Sequence, residues 1–365
     1  MIPAGTELAA YARKVIAPRA LDLIRSDDFP WDIWKEMGES GWLGFGMGDD
    51  GGIEATPAEL FDVAAAVAEA AEVVGLCTSW MTHHMVAGRV IAEYADAEQR
   101  PDVMPDLAAG RRSACIAISE PGAGAHPKRL STRAEKVDGG WRLTGEKAWL
   151  TNGPIADIFV TIAITSEQGG RKRFGAFLVP HDAEGVSQTE GVKIDFAKPS
   201  GHCGLKMENA FLPDGAYLAG AGDAVETVLK RFRRVEDCIG LATKAGAMAV
   251  QLRRLAAILP AEKAVELGAL DADRQLYLAG GRQLMADSGG DPASPEHEAR
   301  LLALRRLGRR FGAAFAELKA EATGQDEFLD LLTRDLQQLG KVAERVDAAK
   351  LAKTGSALLN AAAAG

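Results

Sequence analysis

The hydrophobic pattern of this chain changes twice, and this double change limits the folds that it can adopt. Apolar residues recur at helical spacing through residues 1–112, and short runs rich in β-branched and aromatic residues follow through residues 113–222. Helical spacing then returns for residues 223–365. Because 365 residues exceed what one hydrophobic core normally holds, we predict a helical domain, a β domain and a helical bundle, in that order.

The charge balance and the apolar runs narrow the possible partners. The formal net charge is −9, whereas binding to nucleic acid or to an anionic membrane needs a basic surface, so we predict neither partner. The N-terminal segment carries Glu7, Arg13 and Lys14 and does not resemble a signal peptide. No apolar run reaches the length of a membrane span. We therefore expect a globular protein in the cytoplasm.

Cysteine and histidine spacing argues against a metal site. The four cysteines lie far apart and form no CxxC pair, which favours reduced thiols over a zinc ribbon or a redox motif. His83 and His84 are adjacent, so on a helix their side chains point about 100° apart and cannot chelate together as an i,i+4 pair would. We predict core or boundary histidines and no metal.

Two segments of the predicted β domain carry groups suited to a flat ligand. One strand runs into Ser119 and a Glu-Pro-Gly-Ala-Gly turn, where backbone donors are free and a ligand can approach closely. In the other, Trp149 and Thr151 lie two residues apart, so both side chains point to one face of the sheet. An indole beside a hydroxyl suits an aromatic, hydrogen-bonding ring system such as an isoalloxazine. The structural alternative, which composition alone favours, makes Trp149 a core aromatic and Thr151 an edge residue.

Several segments, in order along the chain, resemble the acyl-CoA dehydrogenase family. FPWDIWKEMGESGWLGFGM resembles its first helices, and AISEPGAGA and WRLTGEKAWLTNGPIADIFVTIAIT resemble its signature segments. GAFLVPHDAEGV and LPDGAYLAG resemble the strands that close its β domain, so the likeness covers about residues 1–250. The resemblance implies a multidomain α+β fold with an N-terminal helical domain, a middle β-barrel or sandwich domain and a C-terminal four-helix bundle.

The same resemblance implies an activity and a set of ligands. A family member uses FAD to remove hydrogens from the α and β carbons of an acyl-CoA thioester, with an α-proton passing to a glutamate and a β-hydride passing to flavin N5. The expected partners are the acyl-CoA substrate, an electron-transfer flavoprotein as acceptor and further subunits in a homo- or hetero-oligomer, either a dimer or a tetramer. Fatty acid metabolism is the expected setting.

Individual site residues follow from the resemblance. Trp149 is expected to pack on the flavin and Thr151 to form a hydrogen bond near N5, while Ile116, Ile118 and Ser119 contact the edge of the ring. Two residues are expected beside the substrate. Ala125 occupies the position of a family serine that contacts the pantetheine arm, and Gly240 follows one candidate base by a helical turn.

The catalytic base has two candidates. Some subgroups of the family place it on the first helix after the β domain, about ten residues before a glycine, and Glu236 matches this position relative to Gly246. Most members place it late, after an Arg-Asp pair. Arg334-Asp335 matches that pair, but no Glu-Gly-Thr follows and Glu344 is about one residue out of register. A third reading pairs Glu236 with one of the arginines that precede it and leaves the chain without a base. The nearby arginines are Arg231, Arg233 and Arg234.

The chain departs from the family pattern at several places. The family's Ser-Asp is Ala125-His126 here, and the arginine that usually follows the early base is Asp237. The family's Arg-x-Gln-Phe-Gly and Gln-x-x-Gly-Gly-x-Gly segments contact the pyrophosphate and adenosine parts of FAD, and neither is present. The alternative prediction is therefore a non-catalytic or half-site subunit of a heteromeric dehydrogenase that has lost part of the FAD site.

Overall fold

The computed structural model describes residues 5–48, 51–289 and 294–364. Its order of elements is helices, strands and helices, which confirms the fold class predicted from the sequence. The exact limits of the three domains stay predictions. The helices before the sheet are α1 (Gly5–Tyr11), α2 (Ala20–Leu23), α3 (Trp31–Glu39), α4 (Pro57–Ala71), α5 (Val74–His84), α6 (Ala92–Tyr94) and α7 (Gln99–Ala108).

The middle domain is one seven-stranded sheet. Strand β4 pairs in parallel with β1 and β2 and antiparallel with β5, and β3 lies between β2 and β7, with β6 at the far edge. The strands are β1 (Ala114–Ala117), β2 (Arg133–Val137), β3 (Gly140–Thr151), β4 (Ile158–Gln168), β5 (Arg171–Pro180), β6 (Val186–Thr189) and β7 (His202–Pro213).

Two runs that read as separate short strands in the sequence, WRLTG and KAWLT, form the single strand β3. The register between β3 and β7 shifts twice, between Leu143 and Gly145 and between Lys147 and Leu150. At the second shift Trp149 has a φ of 63°, a left-handed conformation that is unusual for a residue with a side chain. The bulge therefore turns the end of β3 at the segment that the sequence singled out.

In the described residues five α-helices follow the sheet, one more than the four-helix bundle that the resemblance implies. They are α8 (Lys230–Ala256), α9 (Ala264–Ala286), α10 (Pro295–Lys319), α11 (Glu327–Lys341) and α12 (Glu344–Ala364). Helical periodicity runs through residues 326–362 of the sequence, but the structure breaks this segment between α11 and α12. Asp347 at the start of α12 is buried, and it forms ion pairs with Arg305 and Arg309 of α10 at 2.8 and 2.9 Å. These tertiary contacts hold the first turn of α12 against α10.

Helix α8 packs very closely on α4. A Cβ atom at Gly246 would lie 2.4 Å from the carbonyl oxygen of Ala65, so only glycine allows the two helices to approach this far. Helix α11 is tied to the rest of the chain by Asp335, which is buried and accepts a hydrogen bond of 2.9 Å from the backbone N–H of Ala197. The N-terminal helices and the segment before β7 thus fix the helices of the C-terminal bundle.

A buried ion pair joins the two signature segments. Lys147 of β3 donates to Glu120 at 2.9 Å, and its ammonium also donates to the carbonyl of Ile118 at 3.1 Å. Burial alone would raise the pKa of Glu120, but the Lys147 charge and hydrogen bonds from Thr132 and Ser131 outweigh it and lower that pKa to about 2. The pair clamps the turn after β1 to β3.

The adjacent histidines and the four cysteines lie in the core. His83 is fully buried, with Nε2 2.9 Å from the carbonyl oxygen of Leu107, and burial lowers its pKa to about 4. The ring of His84 stacks on Trp80. The prediction of core histidines is therefore confirmed, and all four cysteines are free and buried. No helix in the described parts of the chain is long and apolar enough to cross a membrane.

Replacing Lys147 with methionine should strongly destabilise the fold. The variant leaves the Glu120 carboxylate buried without its partner, so we expect a loss of about 3–5 kcal/mol in the free energy of unfolding at pH 7, measured by urea denaturation. The loss should shrink in acid, because the contribution of Glu120 exists above its unfolded pKa and disappears as the pH falls toward about 2.

The exposed ion pair between Lys136 and Asp214 supplies the matched control. Lys136→Met should cost at most about 1 kcal/mol, because exposed pairs contribute little. The double variant Lys147→Met/Glu120→Leu should recover much of the stability, since it removes both buried charges. A Lys147→Met protein as stable as the Lys136→Met protein would contradict the clamp.

Candidate active site

A cavity of about 640 Å³ lies where the end of β3 meets helices of the N-terminal and C-terminal domains. Its lining comes from α5, α8, α9, α10, α11 and α12, together with Thr151 of β3 and the segment that joins α11 to α12. Methionine, threonine and small residues dominate the side nearest α5, and charged side chains from α8, α10 and α12 line the other side. The cavity is large enough for the acyl part of a small-molecule ligand.

One face of α8 contributes the residues of most chemical interest. Glu236, Gly240 and Lys244 are spaced by four residues, so they lie along the same side of the helix, and all three line the cavity. A Cβ atom at Gly240 would have no heavy atom within 4 Å, so the space above this residue is open. Gly246 lies on a different face, where α8 contacts α4. The helix thus presents one face to the core and another to the cavity.

Glu236 is held in protein surroundings that favour its neutral form. It lines the cavity, and its side chain keeps access to solvent there. Burial, and then the negative charge of Asp237, raise the pKa of Glu236 to about 7, against the opposing effects of Arg233 and Arg305. A carboxyl group with this pKa is half ionised near neutral pH and can accept a proton there.

The other candidate base, Glu344, lines the same cavity. It is the first residue of α12, and its side chain is exposed. The proposed pairing of Glu236 with a neighbouring arginine is absent: within the described chain, no Lys or Arg nitrogen lies within 4 Å of Glu236. Arg231 pairs instead with Glu93 at 2.5 Å. The structure thus brings both glutamates to one site and leaves Glu236 without a counterion.

Thr151 reaches the cavity and has a partner that the sequence did not reveal. Its Oγ1 lies 2.9 Å from Nε2 of His202, the residue opposite it on β7. Burial lowers the pKa of His202 to about 4, so the imidazole is neutral at physiological pH. The hydrogen bond fixes the side chain of Thr151 at the cavity wall. No sequence signal links residues 151 and 202, because the contact depends on the register between β3 and β7.

Trp149 is not a core aromatic. Its side chain is 52% exposed, whereas Leu150 beside it is fully buried. This corrects the reading in which the indole packs in the interior. Trp149 is not part of the cavity lining, so the structure places its ring outside the enclosed space that Thr151 faces. Asn152 anchors the segment, donating from Nδ2 to the carbonyl of Ser79 at 2.7 Å.

The remaining predicted site residues lie at the end of β1 and in the turn that follows. Ile116 and Ser119 are half-buried and Ile118 is buried. The carbonyl of Ile118 already accepts from Lys147, and that of Ser119 accepts from the N–H of Ala148 at 2.8 Å. Ala125 is half-buried after the turn. None of these four lines the cavity, so their roles toward a cofactor or substrate stay predictions.

Two family models match the chain, and together they cover more than half of it. The model described as "Acyl-CoA dehydrogenase, N-terminal domain" matches residues 5–111, and "Acyl-CoA dehydrogenase, middle domain" matches residues 115–209. The first region contains the N-terminal helices, and the second contains β2 to β6, most of β1 and β7, and the bulged end of β3.

Curated relatives agree with this assignment. An acyl-CoA dehydrogenase of Bacillus subtilis is 30% identical over 214 residues, which are 58% of this chain and 56% of that protein. The mitochondrial isovaleryl-CoA dehydrogenase of Solanum tuberosum is 30% identical over 61% of this chain and 54% of its own length. An L-prolyl-[peptidyl-carrier protein] dehydrogenase of Pseudomonas fluorescens is 35% identical over 43% of this chain and 42% of its own length. The chain thus spans about half the length of these relatives.

Solved structures share the fold over nearly the whole chain. Glutaryl-CoA dehydrogenase from Mycobacterium smegmatis superposes with a TM-score of 0.79 at 20% identity, covering 93% of this chain and 89% of that one. The apo form of PigA superposes with a TM-score of 0.80 at 19% identity, covering 97% and 96%. At these identities the likeness concerns the fold. Family models, relatives and fold agree, and this chain belongs to the acyl-CoA dehydrogenase family.

Proposed function

We propose that this protein catalyses the FAD-dependent α,β-dehydrogenation of an acyl-CoA thioester, with Glu236 as the base that removes the α-proton. The observation that supports this proposal most directly is that Glu236 and Thr151 face one cavity. A proton acceptor and a residue expected to face the flavin are thereby available to one ligand. The names of the relatives, which are dehydrogenases of acyl-CoA and related thioesters, support the same reaction class.

The residues at the end of β3 fit a flavin. An exposed indole at Trp149 offers a flat apolar surface, and the hydroxyl of Thr151 two residues later offers a hydrogen-bonding group. Among the structural neighbours are a glutaryl-CoA dehydrogenase in complex with FADH2 and an FAD complex of PigA. In the proposed reaction, bound FAD supplies the acceptor for the β-hydride. Trp149 and Thr151 would hold its ring system.

The environment of Glu236 suits proton abstraction from a weakly acidic carbon. A pKa of about 7 makes the carboxylate a stronger base than an ordinary glutamate while leaving a large part of it ionised at neutral pH. Gly240, one turn away, leaves open space in which an acyl chain could lie beside the carboxylate. The helix therefore offers both the base and the room for its substrate.

His202 acts as a positioning residue for Thr151. Because its pKa is lowered to about 4, the imidazole is uncharged at neutral pH. When Nε2 carries the proton, His202 donates to Thr151 Oγ1 and leaves the threonine hydroxyl proton free to point into the cavity. We propose this tautomer for the working site.

We also propose that an electron-transfer flavoprotein accepts the electrons and reoxidises the protein.

One observation favours the alternative of a half-site subunit. The arginines near the end of α8, where the family has its pyrophosphate-binding segment, are occupied within this chain. Arg253 pairs with Glu72 at 2.6 Å, and Arg254 pairs with Glu72 and with Asp326 at 2.7 and 3.1 Å. Both guanidinium groups are therefore engaged within the chain and not available to bind the pyrophosphate of an FAD held by a neighbouring subunit. In this alternative a second chain type supplies the adenosine-binding half.

Purified protein should be yellow, and its flavin absorbance should be lost when substrate is added. We expect a bound flavin spectrum that is lost on anaerobic addition of a straight-chain or branched acyl-CoA, because hydride transfer reduces the oxidised ring. A protein that keeps its flavin but is bleached by no acyl-CoA would contradict the reaction. A colourless chain that gains flavin only with a second protein would instead support the half-site alternative.

Glu236→Gln should abolish rapid bleaching while acyl-CoA still binds. Loss of a general base slows such a step about 100-fold to 10,000-fold, and glutamine keeps the size of the side chain. The matched variant is Glu344→Gln, which removes the other carboxylate of the same cavity and should change the rate only a few-fold. Stopped-flow absorbance measures the reduction rate, and its dependence on substrate concentration measures binding. A larger effect at Glu344 would reassign the base.

The rate of flavin reduction should rise with pH through about 7. The second-order rate constant at low substrate reports the ionisation of the free protein, and only ionised Glu236 accepts a proton. Below its pKa we expect a fall of about tenfold per pH unit, and above it a plateau. Stopped-flow measurements from about pH 5.5 to 8.5 cover this range. A rate that does not change over the range would exclude Glu236 as the base.

A further inference from the structure

On the polar side of the cavity, Lys244 is a cation without an ion-pair partner among the described residues. Arg305 of α10 pairs with Asp237 at 2.6 Å and with Asp347 at 2.8 Å, and Arg309 pairs with Asp347 at 2.9 Å. Both carboxylates are thus engaged by arginines. Lys244 of α8 lines the same cavity, and within the described residues no carboxylate oxygen lies within 4 Å of its ammonium. Lys244, Arg305 and Arg309 therefore share two nearby carboxylates, and the next carboxylate on this face of α8, Glu236, lies two helical turns away.

The surroundings of Lys244 make an unpaired ammonium costly. The side chain is half-buried at the cavity wall, and burial together with the charges of Arg305 and Arg309 lowers its pKa to about 8. A buried cation is normally balanced by an anion or by hydrogen bonds, because its removal from water is unfavourable. Of the other charged lining residues, Lys341 and Glu344 are exposed and opposite in sign, and Glu236 lies two helical turns from Lys244, so none of them pairs with Lys244.

The position of Lys244 relative to the proposed base points to the ligand. Glu236, Gly240 and Lys244 follow one another at successive turns on the cavity face of α8. Eight residues of helix separate the base from the lysine, a rise of about 12 Å along the axis. Gly240 lies between them with open space above it. An acyl chain whose α-carbon is at Glu236 can therefore extend over Gly240 toward Lys244.

We propose that the substrate of this site is an acyl-CoA whose acyl chain ends in a carboxylate, and that Lys244, supported by Arg305 and Arg309, binds that terminal carboxylate. This inference rests on the proposed function and specifies its substrate class. The carboxylate is the counterion that Lys244 lacks within the chain. Tyr277 of α9 also lines the cavity, and burial raises the pKa of its phenol, so it remains a neutral hydrogen-bond donor at this end.

Matched pairs of thioesters test the proposal. Adipyl-CoA and hexanoyl-CoA have acyl chains of equal carbon number and differ in the terminal carboxylate, and suberyl-CoA and octanoyl-CoA form a second pair. Calorimetry with the FAD-loaded protein should show that the ω-carboxyl member of at least one pair binds about tenfold more tightly or better, as expected for a hydrogen bond to a charged group. Equal binding within both pairs, or tighter binding of the uncharged chains, would overturn the proposal.

Variants of Lys244 identify the residue responsible. Lys244→Met should bring the ratio of the two binding affinities within a pair close to one. Lys244→Arg should keep a part of the preference for the ω-carboxyl chain. Lys353→Met, which removes an exposed lysine on α12, should leave the full preference. Lys244→Met should also be at least as stable to urea as the parent protein, because it removes a half-buried charge that has no ion-pair partner. A preference that survives Lys244→Met would overturn the role of this lysine.

Two further readouts separate this proposal from the proposed reaction. Flavin bleaching by both members of a pair, without any binding preference, would overturn the carboxylate site and leave the dehydrogenase reaction intact. A binding preference without bleaching would support the carboxylate site and contradict the reaction. If Lys244→Met instead weakened FAD retention with no change in thioester preference, the lysine would serve a cofactor phosphate, and the proposal would be wrong.

Discussion

The close contact between α8 and α4 is the constraint on which the rest of this structure depends. At Gly246 the two helices approach until a Cβ atom would lie 2.4 Å from a backbone oxygen of α4. This contact fixes the rotation of α8, so a different side of the helix, with Glu236, Gly240 and Lys244, faces the cavity. A backbone contact in the core thereby sets the direction in which the proposed base and the unpaired lysine point.

Charged side chains have two different arrangements in this protein. At the end of β1, Lys147 and Glu120 neutralise each other, and hydrogen bonds to the carbonyl of Ile118 and from neighbouring residues satisfy their remaining polar atoms. In the cavity, Glu236 is exposed to solvent and Lys244 is half-buried, and neither has an ion-pair partner in the described chain. The first arrangement holds two signature segments together. The second leaves one acid and one cation able to respond to a ligand, which is how binding sites differ from structural ion pairs.

Much of the fold was predictable because it depends on local pattern. The order of helices, strands and helices follows from the change in hydrophobic period, and the segments around Glu120 and Trp149 carried the family likeness. The sequence did not reveal that β3 is one bulged strand, because Gly145 in its middle resembles a turn signal. The break before α12 was also missed, since periodicity continues through it while ion pairs from α10 to Asp347 hold the new helix.

By itself the sequence determined the three-part architecture, Trp149 and Thr151 as a candidate flavin surface, and Glu236 and Glu344 as the two candidate bases. Only the tertiary structure placed both glutamates in one cavity, paired Thr151 with His202 and left Lys244 without a partner. The reason is physical: period and motif are properties of neighbouring residues, whereas burial, pKa and charge balance depend on which distant segments meet. In this protein the distant segments that contact one another at the cavity are α8, α10, α12 and the end of β3.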